Sequence, residues 1–257
     1  MELQSEGRNK IQYQMIMKAT RIISRLLCAA AAISLTSACA MDDIAEAWNA
    51  VEIDGPYIQE YYDGPLKCEV LDVYGGMPFL SVSIDTEHPS DIKKYSSWST
   101  GDEAEIYRSL CQKHNDLNFK GEDPLFNHPS KQCYAKDIAS IELTCDSDFD
   151  AKHPAGSSIM DIMEYQTTSF GPFITSGYGG AFNNYNAALN RIQISISPAD
   201  SIAPEYMMLL SSINLFKLFF NCPPELKTEI GLTLTITFDN ETAVTFNVTA
   251  DFSDYQG

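Results

Sequence analysis

The chain has 257 residues, with 35 acids against 17 bases and a formal charge of −18. So large an acidic excess argues against nucleic acid and against adsorption to anionic lipid, both of which reward Lys/Arg patches. It favours solubility, divalent cations and basic partners. The length suffices to bury about 70% of the extended surface without a metal.

The first segment differs from the rest. "KATRIISR" (18–25) is basic and holds no acid, "LLCAAAAISL" (26–35) is a short apolar run, and small residues follow. That order describes a secretory signal rather than a spanning helix. The signal is compact if translation starts at Met17, which leaves residues 1–16 outside it. The organisation expected is a signal region over 1–38, a lipidated N-terminus and tether over 39–64, and one domain over 65–257.

Period-2 patterns dominate beyond the tether. "LKCEVLDVYG" (66–75) and "FLSVSID" (79–85) are divided by Gly75, Gly76 and Pro78. "ASIELTC" (139–145) and "RIQISIS" (191–197) alternate in the same way. The tail is clearest: "EIGLTLTITF" and "AVTFNVTADF", joined by "DNET", predict a hairpin with one apolar and one Thr-rich face. Residues 86–132 form a polar insertion, within which "TGDEAEIYRSLCQKH" predicts a helix. Its signs are a Thr100–Glu103 capping box and Lys113 and His114 in the last turn, with Ile106 and Leu110 facing the body. The stretch 206–220 fits a helix face or a buried strand. The fold expected is all-β in the main, an immunoglobulin-like antiparallel β-sandwich with a polar, partly helical insertion.

"LTSAC" resembles the lipobox of bacterial lipoproteins, in which the cysteine is acylated; here Leu35 stands four residues before Cys39 rather than three. The competing site, Ala38-Cys39-Ala40, suits ordinary signal peptidase, cutting before Met41. The acids in "AMDDIAE" resemble the export tag of surface-exposed Bacteroidetes lipoproteins. The later half, from "DIASIELTCDSDFDAKHPAGSSIMD" through "LFKLFFNCPPE" to the final hairpin, is similar in texture to Bacteroidetes lipoproteins of unassigned activity. The resemblance implies an outer-membrane, lipid-anchored protein. "DSI" (Asp200, Ser201, Ile202) resembles the O-glycosylation acceptor of exported proteins in that group, which marks Ser201.

Candidate chemistry is sparse. Asp146, Asp148 and Asp150 have the D-x-D-x-D spacing of a calcium loop, although Ala151 and Ser157 break the EF-hand pattern. A looser Ca²⁺ site would draw in Asp161. The aromatic loop "SFGPFITSGYGGAFNNYN" offers Phe173, Tyr178, Phe182, Asn183, Asn184 and Tyr185 as a glycan surface, with rings for C–H stacking and amides for hydroxyls. The reading preferred to this is that its aromatics fold back onto the core. "GPYIQEYYDG" (55–64) gives a second tyrosine patch, and Trp48 and Trp98 stand isolated. There is no G-x-S-x-G, and Ser90–Lys93 matches S-x-x-K without its partner motifs. No Cys or His spacing suggests zinc. Cys68, Cys111, Cys133, Cys145 and Cys222 suit either two disulfides or buried thiols. The expected function is non-catalytic binding of a glycan or another envelope protein. The alternatives are a subunit of an adhesin or fimbria-like apparatus and a two-carboxylate hydrolase.

Overall fold

The computed structural model describes residues 51–72, 76–123, 131–179 and 192–255. The strands are β1 (Val51–Gly55), β2 (Glu60–Asp63), β3 (Leu66–Leu71), β4 (Phe79–Ile84), β5 (Lys93–Ser96), β6 (Phe119–Asp123) and β7 (Gln132–Tyr134). They continue with β8 (Ile138–Cys145), β9 (Met163–Ser169), β10 (Ile192–Ile196), β11 (Phe216–Phe220), β12 (Glu229–Phe238) and β13 (Ala243–Asp251). Two α-helices are described, α1 (Asp102–Lys113) and α2 (Gly171–Thr175). The protein is mainly β, in several largely antiparallel sheets that do not close into a barrel.

A five-stranded antiparallel sheet, ordered β10-β9-β11-β4-β3, shares one core with the three-stranded sheet β13-β12-β8. The registers show how alternation builds that core. Cys68, Val82, Phe216, Thr167 and Ile194 lie in one cross-strand row, and Val70, Leu80, Leu218, Tyr165 and Ile196 in the next. Both rows face Leu143 of β8 and the alternate residues Ile230, Leu232, Leu234 and Ile236 of β12. The β12–β13 hairpin turns at residues 239–242, and its wet face carries Thr233 donating to Asn247 (3.0 Å) and the Thr235–Thr245 pair. One face is dry and the other wet, as antiparallel sheets allow. This is the predicted sandwich-like, all-β architecture.

A second core lies beside it and was not expected. It gathers Tyr57, Tyr61, Tyr95, Tyr107, Phe119, Phe170 and Phe173 around the small mixed sheet β5-β2-β7 and helix α1. Residues 51–64 therefore do not form a tether: β1 pairs with β6, β2 pairs with β5 and β7, and Tyr57 and Tyr61 are fully buried. The tyrosine patch of "GPYIQEYYDG" is thus core rather than surface, because rings this large contribute most when removed from water.

Helix α1 stands where predicted, but its details differ. Gly101, at φ +61°, is the N-cap, and its carbonyl accepts from the Ala104 and Glu105 amides. The capping box at Thr100 does not form. The buried face is Ala104, Tyr107 and Cys111, while Ile106 is 41% exposed and Leu110 half-buried. The stretch 206–220 ends in strand β11, with Phe216, Leu218 and Phe220 turned inward. Cys68, Cys111, Cys133, Cys145 and Cys222 are thiols, and burial pushes Cys111 up to about 11.

The C-terminus of α1 is tied to the sandwich by a network around Asp137, in the β7–β8 connection. Its carboxylate receives His114 Nε2 (2.9 Å) and Lys113 Nζ (2.7 Å), and the same ammonium reaches Asp239 at the hairpin turn (2.7 Å). Burial alone would raise the Asp137 carboxyl. The bonds from His114 and Lys113 outweigh burial and hold it below its ordinary value. A depressed carboxyl adds stability that is present above its unfolded pKa of about 3.9 and is lost as pH falls through the folded value. Asp137→Asn is therefore expected to cost about 3 kcal/mol at neutral pH and to flatten the acid limb of the stability profile. Urea unfolding at pH 7 and pH 3 measures both effects.

Candidate functional site

The site is built on the turn between β5 and α1. β5 ends at Ser96, and Ser96–Ser99 close a β-turn, with the Ser99 amide donating to the Ser96 carbonyl (3.0 Å). Side chains lock the same turn: Ser99 Oγ accepts from the Ser96 amide (3.0 Å) and pairs with Ser96 Oγ (3.2 Å). Ser97 continues the ladder to Gln59, its amide reaching the Gln59 carbonyl (3.2 Å) and its hydroxyl the Gln59 side chain (3.2 Å). At the free corner stands Trp98, 71% exposed. Gly101 then uses its positive φ to redirect the chain into α1.

A pocket of about 490 Å³ opens in this region. Its lining includes Pro56 and Gln59, the serines Ser96, Ser97 and Ser99, and Tyr107 with Arg108 from α1. Gln59 is held by its amide to the Pro56 carbonyl (3.0 Å), and Tyr107 by its hydroxyl to the Ile58 carbonyl (2.8 Å). Such a volume lies in the range of small-molecule sites, about 300–1,000 Å³. An indole on a braced turn offers a flat apolar face at small entropic cost, and serine hydroxyls retain acceptor lone pairs after donating.

The wall at 56–59 is fixed from beneath by Asp116. This carboxylate is wholly buried and accepts from the Tyr57 amide (2.8 Å), the Ile58 amide (2.8 Å) and the Tyr178 hydroxyl (2.9 Å). Burial raises its pKa, and those three donors hold the rise back. Lys131 lies over the Tyr57 ring at 4.0 Å, a cation over an aromatic face.

The residues expected from sequence fall elsewhere. Phe173 is 6% exposed and packs edge-on against Phe119 and Tyr178. Tyr178 takes φ +62° and spends its hydroxyl on Asp116. The described part of the aromatic loop thus folds onto the second core, the fold-back reading of its aromatics, and Phe173 and Tyr178 are packed rather than presented as a glycan surface. Phe182, Asn183, Asn184 and Tyr185 lie outside the described residues, as do Cys39 and the whole signal region.

The aspartates disperse as well. Asp146 accepts from the Gly231 amide (3.2 Å), Asp148 from Ala155 (2.8 Å), and Asp150 from Lys152 (2.7 Å) and His153 (2.9 Å). Asp148 and Asp150 are taken up by amides of the following loop and Asp146 by an amide of β12, and no group of three His, Cys, Asp or Glu among the described residues could hold a metal ion. The Ca²⁺ expectation at Asp146, Asp148 and Asp150 does not match this geometry. Asp161 does come near Asp150, but through His153, whose two ring nitrogens bind the two carboxylates at 2.7 and 3.0 Å. Burial lowers the His153 pKa, and the two aspartates more than restore it. Ser201 sits exposed in a short 3₁₀ turn, Ala199–Ser201, where its hydroxyl donates to the Pro198 carbonyl (3.1 Å).

A second concavity, of about 430 Å³, lies over β10, β9 and β11 and is lined by Gln166, Thr168, Gln193, Ser195, Asn214 and Lys217 among others. Two of its polar groups are tied to the neighbouring Glu164 carboxylate. Glu164 accepts from Gln166 (2.6 Å) and from Ser195, and Lys217 lies 5.3 Å over Phe79. Phe216 is the aromatic residue in its lining, and it is buried. Trp98 is not among the residues that line the first pocket; it stands between Ser97 and Ser99, which are, and its ring is exposed.

No protein-family model, no curated protein and no solved structure matches this chain. No described helix is long and apolar enough to cross a membrane.

The two roles of these residues separate by stability. Asp116→Ala takes the carboxylate acceptor from two buried amides and leaves the Tyr178 hydroxyl only its longer bond to the Asn115 carbonyl (3.3 Å), and is expected to cost about 3 kcal/mol or more. Trp98→Ala removes an exposed ring and is expected to stay within about 0.5 kcal/mol of the parent. Denaturant midpoints of the two variants test both statements.

Proposed function

We propose that this protein is a non-catalytic lipoprotein of the cell envelope, anchored through acylated Cys39 at the outer membrane, that binds a glycan through Trp98 and the pocket beside it. The leader pattern and "LTSAC" support export and anchoring. The observation that carries the binding reading is Trp98: a large ring, 71% exposed, on a turn braced by five hydrogen bonds within and beside it. Among the described large hydrophobics that are exposed, Ile213 and Leu226 included, Trp98 is the aromatic one, while the rings of Tyr57, Tyr61 and Phe170 are buried in the adjoining core. Sugar rings suit this surface, since their C–H faces stack on an indole while their hydroxyls meet Ser97, Ser99 and Gln59.

A second reading has one observation in its favour. β10 ends the five-stranded sheet and, among the described residues, pairs with β9 alone. A terminal strand of this kind can accept a strand from another chain, as in an adhesin or fimbria-like assembly. Isolation as a large, β-paired complex would favour it.

Two measurements test the proposal. Intact mass of protein from native membranes is expected to show a chain beginning at acylated Cys39; a chain beginning at unmodified Met41 would contradict the anchor. Retardation of the full-length protein in gels containing host or envelope polysaccharide is expected, and Trp98→Ala is expected to abolish it. Retention undiminished in that variant would remove Trp98 from the site.

A further inference from the structure

The loop between β8 and β9, residues 146–159, covers one end of the sandwich. β8, β11 and β13 finish at that end, and β9 and β12 begin there. Its plug is Phe149, fully buried, which stacks on Phe220 (6.0 Å between ring centroids, 5° between planes) and meets Phe252 edge-on (6.5 Å). The Phe149 carbonyl accepts from the Glu225 amide (2.9 Å), and the Phe149 amide donates to the His153 carbonyl (2.9 Å). His153 is thus one hydrogen bond away from the plug.

The His153 ring lies between two carboxylates. Nδ1 is 2.7 Å from Asp150 Oδ1, and Nε2 is 3.0 and 3.1 Å from the two oxygens of Asp161. An ionised carboxylate only accepts hydrogen bonds, so both ring nitrogens must bring a hydrogen, and that species is the imidazolium. A neutral ring has one N–H and turns a lone pair toward the other carboxylate. The two partners are unequal. Asp150 Oδ1 also accepts from the Lys152 and His153 amides, which keep it in place in either state. Asp161, on the 3₁₀ turn Met160–Ile162, is exposed and, among the described residues, has His153 as the donor to its carboxylate.

The charges near the ring favour the imidazolium. Neighbouring elements bring Cys222 and Glu225, after β11, and Asp200, on the turn Ala199–Ser201 that packs against Met160–Ile162. On the loop itself Asp148 is taken by the Ala155 amide, and the cation Lys152 is exposed. Burial lowers the His153 pKa, and the bonds to Asp150 and Asp161 raise it by more, so the ring titrates above its ordinary value of about 6.5.

We propose that His153 is a pH-sensitive clasp on this loop. As the imidazolium it ties Asp150 to Asp161 and holds the loop shut over Phe149. When Nε2 gives its proton to water, the ring keeps Asp150, releases Asp161 and lets the loop loosen. A group whose folded pKa is raised adds stability that is fully present below its unfolded pKa of about 6.5 and is lost as pH rises through the folded value. The clasp is therefore closed in weak acid and loosens in weak alkali, the reverse of Asp137, whose contribution is lost in acid.

The test is an NMR titration of the full-length protein from about pH 5.5 to about pH 9, spanning the ordinary histidine range. It reads the His153 ring nitrogens together with the hydrogen-exchange protection factors of the Phe149 and Gly156 amides, with Leu234 in the middle of β12 as the reference. The ring is expected to titrate above about 6.5, and the two loop amides to lose protection about threefold or more relative to Leu234 across that titration. Asp161→Asn is expected to lower the ring's midpoint and to remove the pH dependence of loop protection. Asp200→Asn, which changes a neighbouring charge but no bond to the ring, is expected to keep it. A ring that titrates at or below its ordinary value would overturn the clasp, as would loop protection that holds steady through the titration. pH-dependent protection persisting in Asp161→Asn would overturn it too. Asp161 and Asp200 are exposed, so neither substitution is expected to disturb folding, and the amide dispersion of the β12–β13 hairpin serves as the control.

Discussion

Asp116 is a charged group wholly removed from water, and the surface around Trp98 depends on it. Burying a carboxylate is costly unless donors replace its hydration. Here the donors are the Tyr57 and Ile58 amides and the Tyr178 hydroxyl, drawn from segments far apart in the chain. The bonds fix the strip that leads to Gln59, and Gln59 in turn carries Ser97 and the turn that presents Trp98. The same carboxylate offsets the unfavourable backbone at Tyr178, a left-handed conformation that costs a non-glycine residue roughly 1–2 kcal/mol. A polar anchor thus organises a core that is otherwise aromatic.

The two cores differ in how they are built, and the sequence was legible in proportion. The sandwich follows from local alternation: Leu232, Leu234 and Ile236 announce their face within a single strand, and β3, β4, β8, β10 and the terminal hairpin appear close to their predicted bounds. β9 escaped because its inner face is only half apolar. Met163 and Tyr165 are followed inward by Thr167 and Ser169, whose hydroxyls are satisfied by the Leu215 and Met208 carbonyls. A buried hydroxyl with a carbonyl partner is cheap in the fold and invisible to a hydropathy pattern.

The second core was legible only in pieces, as the helix over 102–113 and the fold-back of the aromatic loop. Its tyrosines and phenylalanines come from residues 57 to 173, one or two from each segment, so no single window carries a period. The aromatic loop and the tyrosine patch looked like surfaces because aromatics serve both recognition and packing. Trp98 presented the reverse case, a lone ring with no pattern around it. Its exposure follows from the serine turn, whose tie from Ser97 to Gln59 forms only once β2 and β5 have paired. The D-x-D-x-D spacing failed for a related reason. Short aspartates next to turns are drawn to backbone amides, and Asp148 and Asp150 each found one nearby.

The account separates two surfaces of one chain, the Trp98 turn and the polar face over β9, β10 and β11. The most direct test is an assigned amide and indole NMR spectrum of the full-length protein, followed during titration with a mixture of host and envelope oligosaccharides. The account predicts that the Trp98 indole N–H and the Ser97 and Ser99 amides move first, while Gln193 and Ser195 stay in place. Shifts confined to Gln193, Ser195 and Lys217, with the Trp98 indole unmoved, would contradict it.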